Sequence, residues 1–239
     1  MAKSIGSQGA SSESARSEAT CRRLIDAAFG LFSRRGFDAV STRALASAAK
    51  VNQAAIPYHF RSKEGLYHAV ANHIVKMVGP SLDPVVNAVR ERHRDGVKDL
   101  YQAREDVVAL ILALLRKITM DRNRYEIGFF MLREQMQPTA AMDLLYEGVI
   151  RPFHELLGRL VAALRGIPES DPDVIIEVQV LYGEAIVFGV HRTTLVRRLG
   201  VDSLDDGHLE RIHRVVRAMV MRQFPLEGPI NTRDEPAPK

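Results

Sequence analysis

An all-α fold is predicted by three features of the sequence. Apolar residues recur at three- and four-residue spacing over long stretches, the period of one face of a helix. No run of alternating β-branched residues bounded by hairpin turns appears. The chain is rich in Ala, Leu, Val and Arg and has no Trp. With 239 residues it is long enough for one or two compact domains with a buried core.

Residues 1–17 are Ser, Ala, Gly and Gln with scattered charge, too little apolar surface to offset ordering, so a disordered tail is expected there. The spacing predicts a first helix over 17–35. Leu24, Ala27, Ala28, Leu31 and Phe32 form one stripe, and Gly36 supplies the left-handed residue that ends it. Phe37 and Val40 tuck the following loop inward. The stretch 41–63 then reads as two short helices joined by a tight turn. Ser41 or Thr42 caps the first, which turns Leu45, Ala46 and Ala49 inward. The turn falls at Lys50, Val51 and Asn52, with Val51 as an apolar plug. Asn52 caps the second helix, which carries Ile56 and Phe60 inward. Small residues at Ala46 and Ala49 let two steeply crossed backbones approach, the geometry of a helix-turn-helix. Pro57 lies inside the second helix, where it removes one N–H and threatens the carbonyl of Gln53.

Ser62 caps a fourth helix, and Leu66, Tyr67, Val70, Ile74 and Val78 continue it until Gly79-Pro80 and Pro84 interrupt or bend it. It resumes over 85–94. From about residue 104 the composition changes: 107–118 is almost wholly apolar and reads as a helix buried on most sides. Helices follow over 125–136 and 139–165, with Pro152 kinking the latter or opening a new helix. Ser170 or Asp171 caps a long helix over 172–199, closed by Gly200. A last helix over 205–224 places Leu209, Ile212, Val216, Met219 and Val220 on one face and stops at Pro225. Residues 226–239 read as a second disordered tail.

Charge and chemistry narrow the function. The net charge is +4, and residues 1–65 hold 10 Lys/Arg against 5 Asp/Glu while the remainder holds 23 against 24. The positive excess therefore sits with the helix-turn-helix, where a polyanion binds; chance asymmetry on a solvated surface is the alternative. One cysteine, Cys21, forbids an intramolecular disulfide and suits a cytoplasmic location. No signal peptide is visible, and no stretch approaches the roughly 20 apolar residues that span a bilayer. His68 and His73, like His208 and His213, are five apart, wrong for two metal ligands on one helical face. No nucleophile elbow, phosphate-cradling glycine loop or catalytic carboxylate pair appears, so neither enzyme, metal site nor cofactor is expected.

The order Thr42-Arg43-x-Leu45-Ala46, then Ala49-x-Val51, Ile56-x-Tyr58-His59-Phe60 and Ser62-Lys63-Glu64, resembles the DNA-binding domain of TetR/AcrR-type transcriptional regulators. The resemblance extends over 22–71. It implies that Thr42, Tyr58, His59 and Lys63 touch phosphates, while Arg43, Gln53, Ala54 and Ala55 face bases or the adjacent backbone. Lys50 departs from the pattern, standing where a glycine is common. A second run, Arg133-Glu134-Gln135-Met136-x-Pro138-Thr139 and Leu145-Tyr146-Glu147-Gly148-x-Ile150-Arg151-Pro152, resembles the CecR-like C-terminal subgroup over 125–200.

The resulting domain scheme is 1–17 tail, 18–64 helix-turn-helix domain, 65–225 helical ligand-binding and dimerisation bundle, 226–239 tail. The expected protein is a homodimeric regulator of a palindromic double-stranded DNA operator, a repressor released by a small apolar effector and without contact to membrane. The last two long helices form the dimer interface, with Val178, Leu181, Ala185, Phe188, Ile212, Val216 and Met219 as its residues; packing of these faces inside one monomer is the alternative. Leu112, Phe130, Met131, Leu145 and Tyr182 are candidates to line an effector pocket, with Arg133, Glu134, Gln135, Glu184 or His154 as its polar contacts. The competing assignment makes Phe130 and Met131 ordinary core and pairs Arg133 with Glu134. An enzyme and a sequence-independent DNA-binding protein are the other function classes to be tested.

Overall fold

The structure, a computed structural model, describes residues 7–226, with side chains from Ser14 onward. Among them are eleven α-helices and one π-helical turn, and no strand. They run α1 Ser7–Arg35, α2 Thr42–Ala49, α3 Ala55–Phe60, α4 Lys63–Arg92, α5 Leu100–Met120, α6 Arg124–Met136, α7 Ala140–Leu145, α8 Arg151–Arg165, α9 Pro172–Val190, α10 Arg192–Leu199 and α11 Asp206–Gln223.

Helix α1 starts at Ser7, so residues 7–17 are helical where a disordered tail was expected. They include no Pro and, past Gly9, no Gly to break a helix. Residues 1–6 and the expected tail beyond 226 lie outside the described residues. The helix ends as predicted at Arg35, with Gly36 at φ +80°. Helix α4 runs through Gly79-Pro80 and Pro84 without the expected interruption, and the Ser81 hydroxyl donates to the Val78 carbonyl at 2.6 Å. The expected helix over 139–165 is helical without a break from Ala140 to Arg165, as α7, the π turn Tyr146–Ile150 and α8; the Arg151 N–H donates to the Tyr146 carbonyl, five residues back, directly before Pro152, which has no N–H to give. The expected helix over 172–199 breaks at His191 into α9 and α10, which meet at a 66° bend. No single helix among the described residues is long and apolar enough to cross a membrane.

The chain divides into two compact units. The first comprises residues up to Asp83 together with Met120–Phe153, and the second Pro84–Thr119 with the residues from His154 on. The helix-turn-helix thus shares its unit with α6 and α7, beyond the expected span of 18–64.

In the first unit, Leu24, Ala28 and Phe32 of α1 meet Leu45, Ile56, Leu66, Val70 and Ile74 in a core from which water is excluded. Tyr67 of α4 is its hub. Its ring lies edge-on to Phe32 at 5.0 Å and Phe37 at 5.1 Å, and stacks on Phe130 of α6 at 4.8 Å. Its hydroxyl donates to Glu134 Oε1 at 2.6 Å. The other carboxylate oxygen of Glu134 accepts from the Thr139 N–H at 3.0 Å and hydroxyl at 2.9 Å, while the Thr139 hydroxyl in turn caps α7 at Ala141 N–H. Burial and the adjacent Glu134 push the Tyr67 phenol well above its usual range, so it stays a donor. Helix α6 packs along α1, and the Arg133 guanidinium lies so close to Gly36 that a Cβ there would meet its Nη1 at 2.7 Å.

In the second unit the apolar run of α5, including Val107, Leu110, Ile111 and Leu115, is buried as expected with Leu156, Leu157, Leu160 and Val161 of α8. A buried carboxylate ties α4 to α5. Asp106 accepts from Arg92 and from Gln102 Nε2, and pairs with His93 Nε2 at 2.8 Å. At the surface Arg217 of α11 grips Glu105 of α5 with 2.7 and 2.9 Å contacts.

Tyr67→Phe removes one hydroxyl and leaves Glu134 Oε1 buried without its donor. We expect a loss of about 1–3 kcal/mol in urea-induced unfolding, with no change in helix content by circular dichroism before the transition.

Candidate nucleic-acid interface

The geometry of α2 and α3 follows from local bonds. Ser41 Oγ accepts from Ala44 N–H at 3.1 Å, capping α2 as predicted. At the other end Lys50 sits in the left-handed region, φ +54° and ψ +48°, and Val51 N–H reaches back to the Ala46 carbonyl at 3.0 Å. That bond closes the turn and points the chain into α3. Asn52 Oδ1 accepts from Ala54 N–H at 2.8 Å. The next bonds are short-range: Ala55 N–H to Asn52 carbonyl at 3.0 Å and Ile56 N–H to Gln53 carbonyl at 3.2 Å. The carbonyl that Pro57 cannot serve is therefore taken by Ile56. Pro57 is the third residue of α3, so it sits in the first turn and interrupts nothing.

Ile56 is 1% exposed and anchors α3 to the core, while Tyr58, two residues on, is 81% exposed. An aromatic held fully in solvent has no packing role in this chain. Thr42, Gln53, Ala54, Pro57, Ser62 and Lys63 surround one open depression beside Ile56, formed by the starts of α2, α3 and α4. Gln53 Nε2 donates to Thr42 Oγ1 at 2.9 Å across it. Lys63 Nζ lies 4.1 Å from the centre of the Phe37 ring, and Ser62 Oγ accepts from Gly65 N–H at 3.1 Å to cap α4. The Phe60 carbonyl comes so near that a Cβ on Gly65 would sit 2.0 Å from it. Only glycine lets α4 start this close to the end of α3, a constraint not legible in the sequence. His59 packs edge-on against Tyr58 at 4.7 Å. Of the expected DNA contacts, Thr42, Gln53, Ala54 and Lys63 line this depression, Ala55, Tyr58 and His59 follow on α3, and Arg43 lies in the first turn of α2.

The interface residues expected on the last helices are placed differently. Val178, Leu181, Ala185, Ile212 and Val216 are buried within a single chain and form its core. Phe188 is half-buried and Met219 exposed. The outward face of α9 instead carries Ile176, Val180, Val187 and Val190, at successive steps of four, seven and three residues, and α11 presents Val215 beside Met219. Gly183 lies midway along the α9 stripe with open space over it. Helix α9 has two apolar faces beside a side that carries Asp173, Glu177 and Glu184, and sequence periodicity does not rank the two.

The expected effector residues fall in both units. Phe130 and Glu134 are buried and engaged with Tyr67 and Thr139, which assigns them to packing. Arg133 lies over Gly36, and Met131 is half-buried on α6. Leu112 and Tyr182 belong to the second unit, both half-buried. There Tyr182 meets His154 edge-on at 4.7 Å, and His154 Nε2 is buried without a hydrogen-bond partner. Burial lowers the His154 pKa and raises that of Tyr182 to about 12, so both are neutral near pH 7. Among the described residues no group of three or more His, Cys, Asp or Glu gathers as a metal site.

A short helix anchored by one apolar side chain and presenting polar and aromatic groups outward, crossed by a capped partner helix, defines a helix-turn-helix DNA-binding protein. Residues 24–70 match the family described as bacterial regulatory proteins of the tetR family, and residues 103–226 match the C-terminal domain of the helix-turn-helix-type transcriptional dual regulator CecR. The Shigella flexneri transcriptional dual regulator CecR is 33% identical over 201 residues, covering 84% of this chain and 89% of that protein. The chain belongs to the TetR family of transcriptional regulators, with a C-terminal domain of the CecR type. Solved structures of similar fold include a putative fatty acid metabolism regulator of Clostridium perfringens, with a TM-score of 0.60 at 14% identity over 86% of this chain and 100% of that one. AibR, solved with isovaleryl coenzyme A and operator DNA, has a TM-score of 0.58 at 16% identity over 87% and 100%.

Because Pro57 occupies a first-turn position, Pro57→Ala restores no missing bond. It frees the unfolded chain and is expected to lower stability by about 0.4–1 kcal/mol. A rise in unfolding free energy of several kcal/mol would mean that Pro57 strains α3 after all.

Proposed function

We propose that this regulator is a homodimeric, sequence-specific repressor that reads a palindromic operator with α3 and is released by a small, largely apolar effector. The observation that carries the reading is α3 itself: it turns Tyr58 out into solvent, and its start lines one open depression with Thr42, Gln53 and Lys63. Contacts of Thr42, Tyr58, His59 and Lys63 to phosphates supply most of the affinity. Arg43 and Gln53 have the donor geometry to read guanine and adenine edges, and Ala54 and Ala55 are small enough to meet thymine methyls.

Dimerisation uses the outward apolar stripe of α9 with Val215 and Met219 of α11. An exposed row of aliphatic side chains on a helix whose opposite face is already core calls for a second partner. A two-fold pairing there gives two copies of α3, and the operator inherits that symmetry. We assign the effector site to the second unit, at the contact between Tyr182 and His154. Two neutral polar groups in apolar surroundings suit an apolar compound with one hydrogen-bonding group. Helix α4 begins at the reading patch and extends into the second unit, so a change at the effector site has a continuous helix through which to act. A coupling of about 1–3 kcal/mol lowers operator affinity about 5–150-fold.

Selection of bound duplexes from a random pool tests the reading: a palindrome supports it, and recovery of unrelated sequences would reassign the protein to sequence-independent binding. On the selected operator, fluorescence anisotropy should show Tyr58→Ala weakening all sequences alike and Gln53→Ala relaxing preference at one base position per half-site. In a separate measurement, Val180→Asp is expected to convert dimer to monomer in sedimentation at micromolar protein. Val178→Ala, on the buried face, should destabilise the fold without changing the mass.

A further inference from the structure

Positive backbone φ occurs at six described positions, and the residue types there follow a rule with two exceptions. Gly36, Gly96, Gly166 and Gly200 are glycines, for which the conformation is unstrained. The other two are Lys50 and Arg61. Lys50 closes α2 on the near side of the reading segment, and Arg61 follows directly on Phe60, the last residue of α3. Both are exposed, and neither is ion-paired among the described residues. Lys50 lies in the left-handed helical well, but Arg61, at φ +69° and ψ −42°, lies outside it, in a region where a residue with a Cβ is strained.

Glycine would relieve both positions, and the chain uses glycine at every other such place. Strain of this kind persists where the side chain serves a function. Charge and location identify that function. The six residues of α3 rise about 9 Å along the helix axis. The major groove is about 12 Å wide and bordered by a phosphate strand on each side. Lys50, at the turn that leads into α3, and Arg61, directly after α3, put cations on long flexible stems on either side of the reading segment, where they can reach those two strands.

We infer that Lys50 and Arg61 are a pair of phosphate clamps, one at each end of the reading helix, kept as cations at the expense of backbone strain. The inference rests on α3 being the DNA-reading helix. It adds two residues to the contact set, one of them at the position where the family pattern has glycine, and it makes the turn itself part of the binding surface.

The experiment pairs stability with salt dependence. Lys50→Gly and Arg61→Gly should each melt about 2–4 °C higher than wild type as the strain is released. Each should also bind a fluorescein-labelled mixed-sequence duplex more weakly between about 50 and 200 mM salt, with the slope of log affinity against log salt shallower by about one for each phosphate no longer neutralised. Lys50→Arg and Arg61→Lys keep the charge and should keep the wild-type slope. A glycine variant at either position with an unchanged slope overturns the clamp pair, as does a shallower slope in the charge-preserving variants. Wild-type protein that fails to bind the duplex at low salt would instead remove the DNA-reading assignment on which the inference stands.

Discussion

The hydrogen bond from Tyr67 to Glu134 is the interaction around which the DNA-reading unit is arranged. Tyr67 stands one turn into α4 and brings three elements to one ring: Phe32 of α1, Phe37 of the loop after it, and Phe130 of α6. Burying a phenol and a carboxylate together is costly unless each polar atom has a partner. Here each carboxylate oxygen is satisfied, one by Tyr67 and the other by Thr139. The start of α7, the last turn of α6 and the root of α4 are therefore linked through one side chain. Any displacement of α6 must break that set of bonds or move α4 with it, and α4 begins at the reading patch.

The reading segment itself is short, and its stability is borrowed. Six helical residues are too few to stand alone. Ile56 supplies one deep anchor, the bonds to Asn52 and Gln53 tighten the entry, and Gly65 lets α4 abut the exit. These devices leave Tyr58 and Gln53 free to face outward. The same economy explains why Pro57 is harmless: the first turn has no ladder for it to break.

The second unit obeys a different constraint. Helix α9 carries apolar side chains on a buried and an exposed face, with Asp173, Glu177 and Glu184 along one side between them, and a single chain covers only one of those apolar faces. Val178, Leu181 and Ala185 pack inward, while Ile176, Val180 and Val187 remain in solvent. The proposed pairing of two chains through α9 rests on that exposed face, with open space over Gly183.

Much was legible before any coordinates. The helical class, the caps at Ser41, Ser62 and Asp171, the stop at Gly36 and the charge bias toward the N-terminal helices all follow from local chemistry, because caps and turns depend on a few adjacent residues. The expected cap of α3 by Asn52 is instead a turn bond to the Ala54 N–H, with Ala54 at the cap position, while the helix-turn-helix itself was legible as a local motif. What the sequence left open were choices between faces and partners. Phe130 and Glu134 looked equally suited to a pocket or a core until Tyr67, 67 residues from Glu134, was seen beside them. The two apolar faces of α9 were indistinguishable until α8 covered one, and no proline marks the break at His191. Periodicity records that a residue will be buried. Only the packing of distant segments decides against what, because that depends on contacts whose sequence separation carries no local signal.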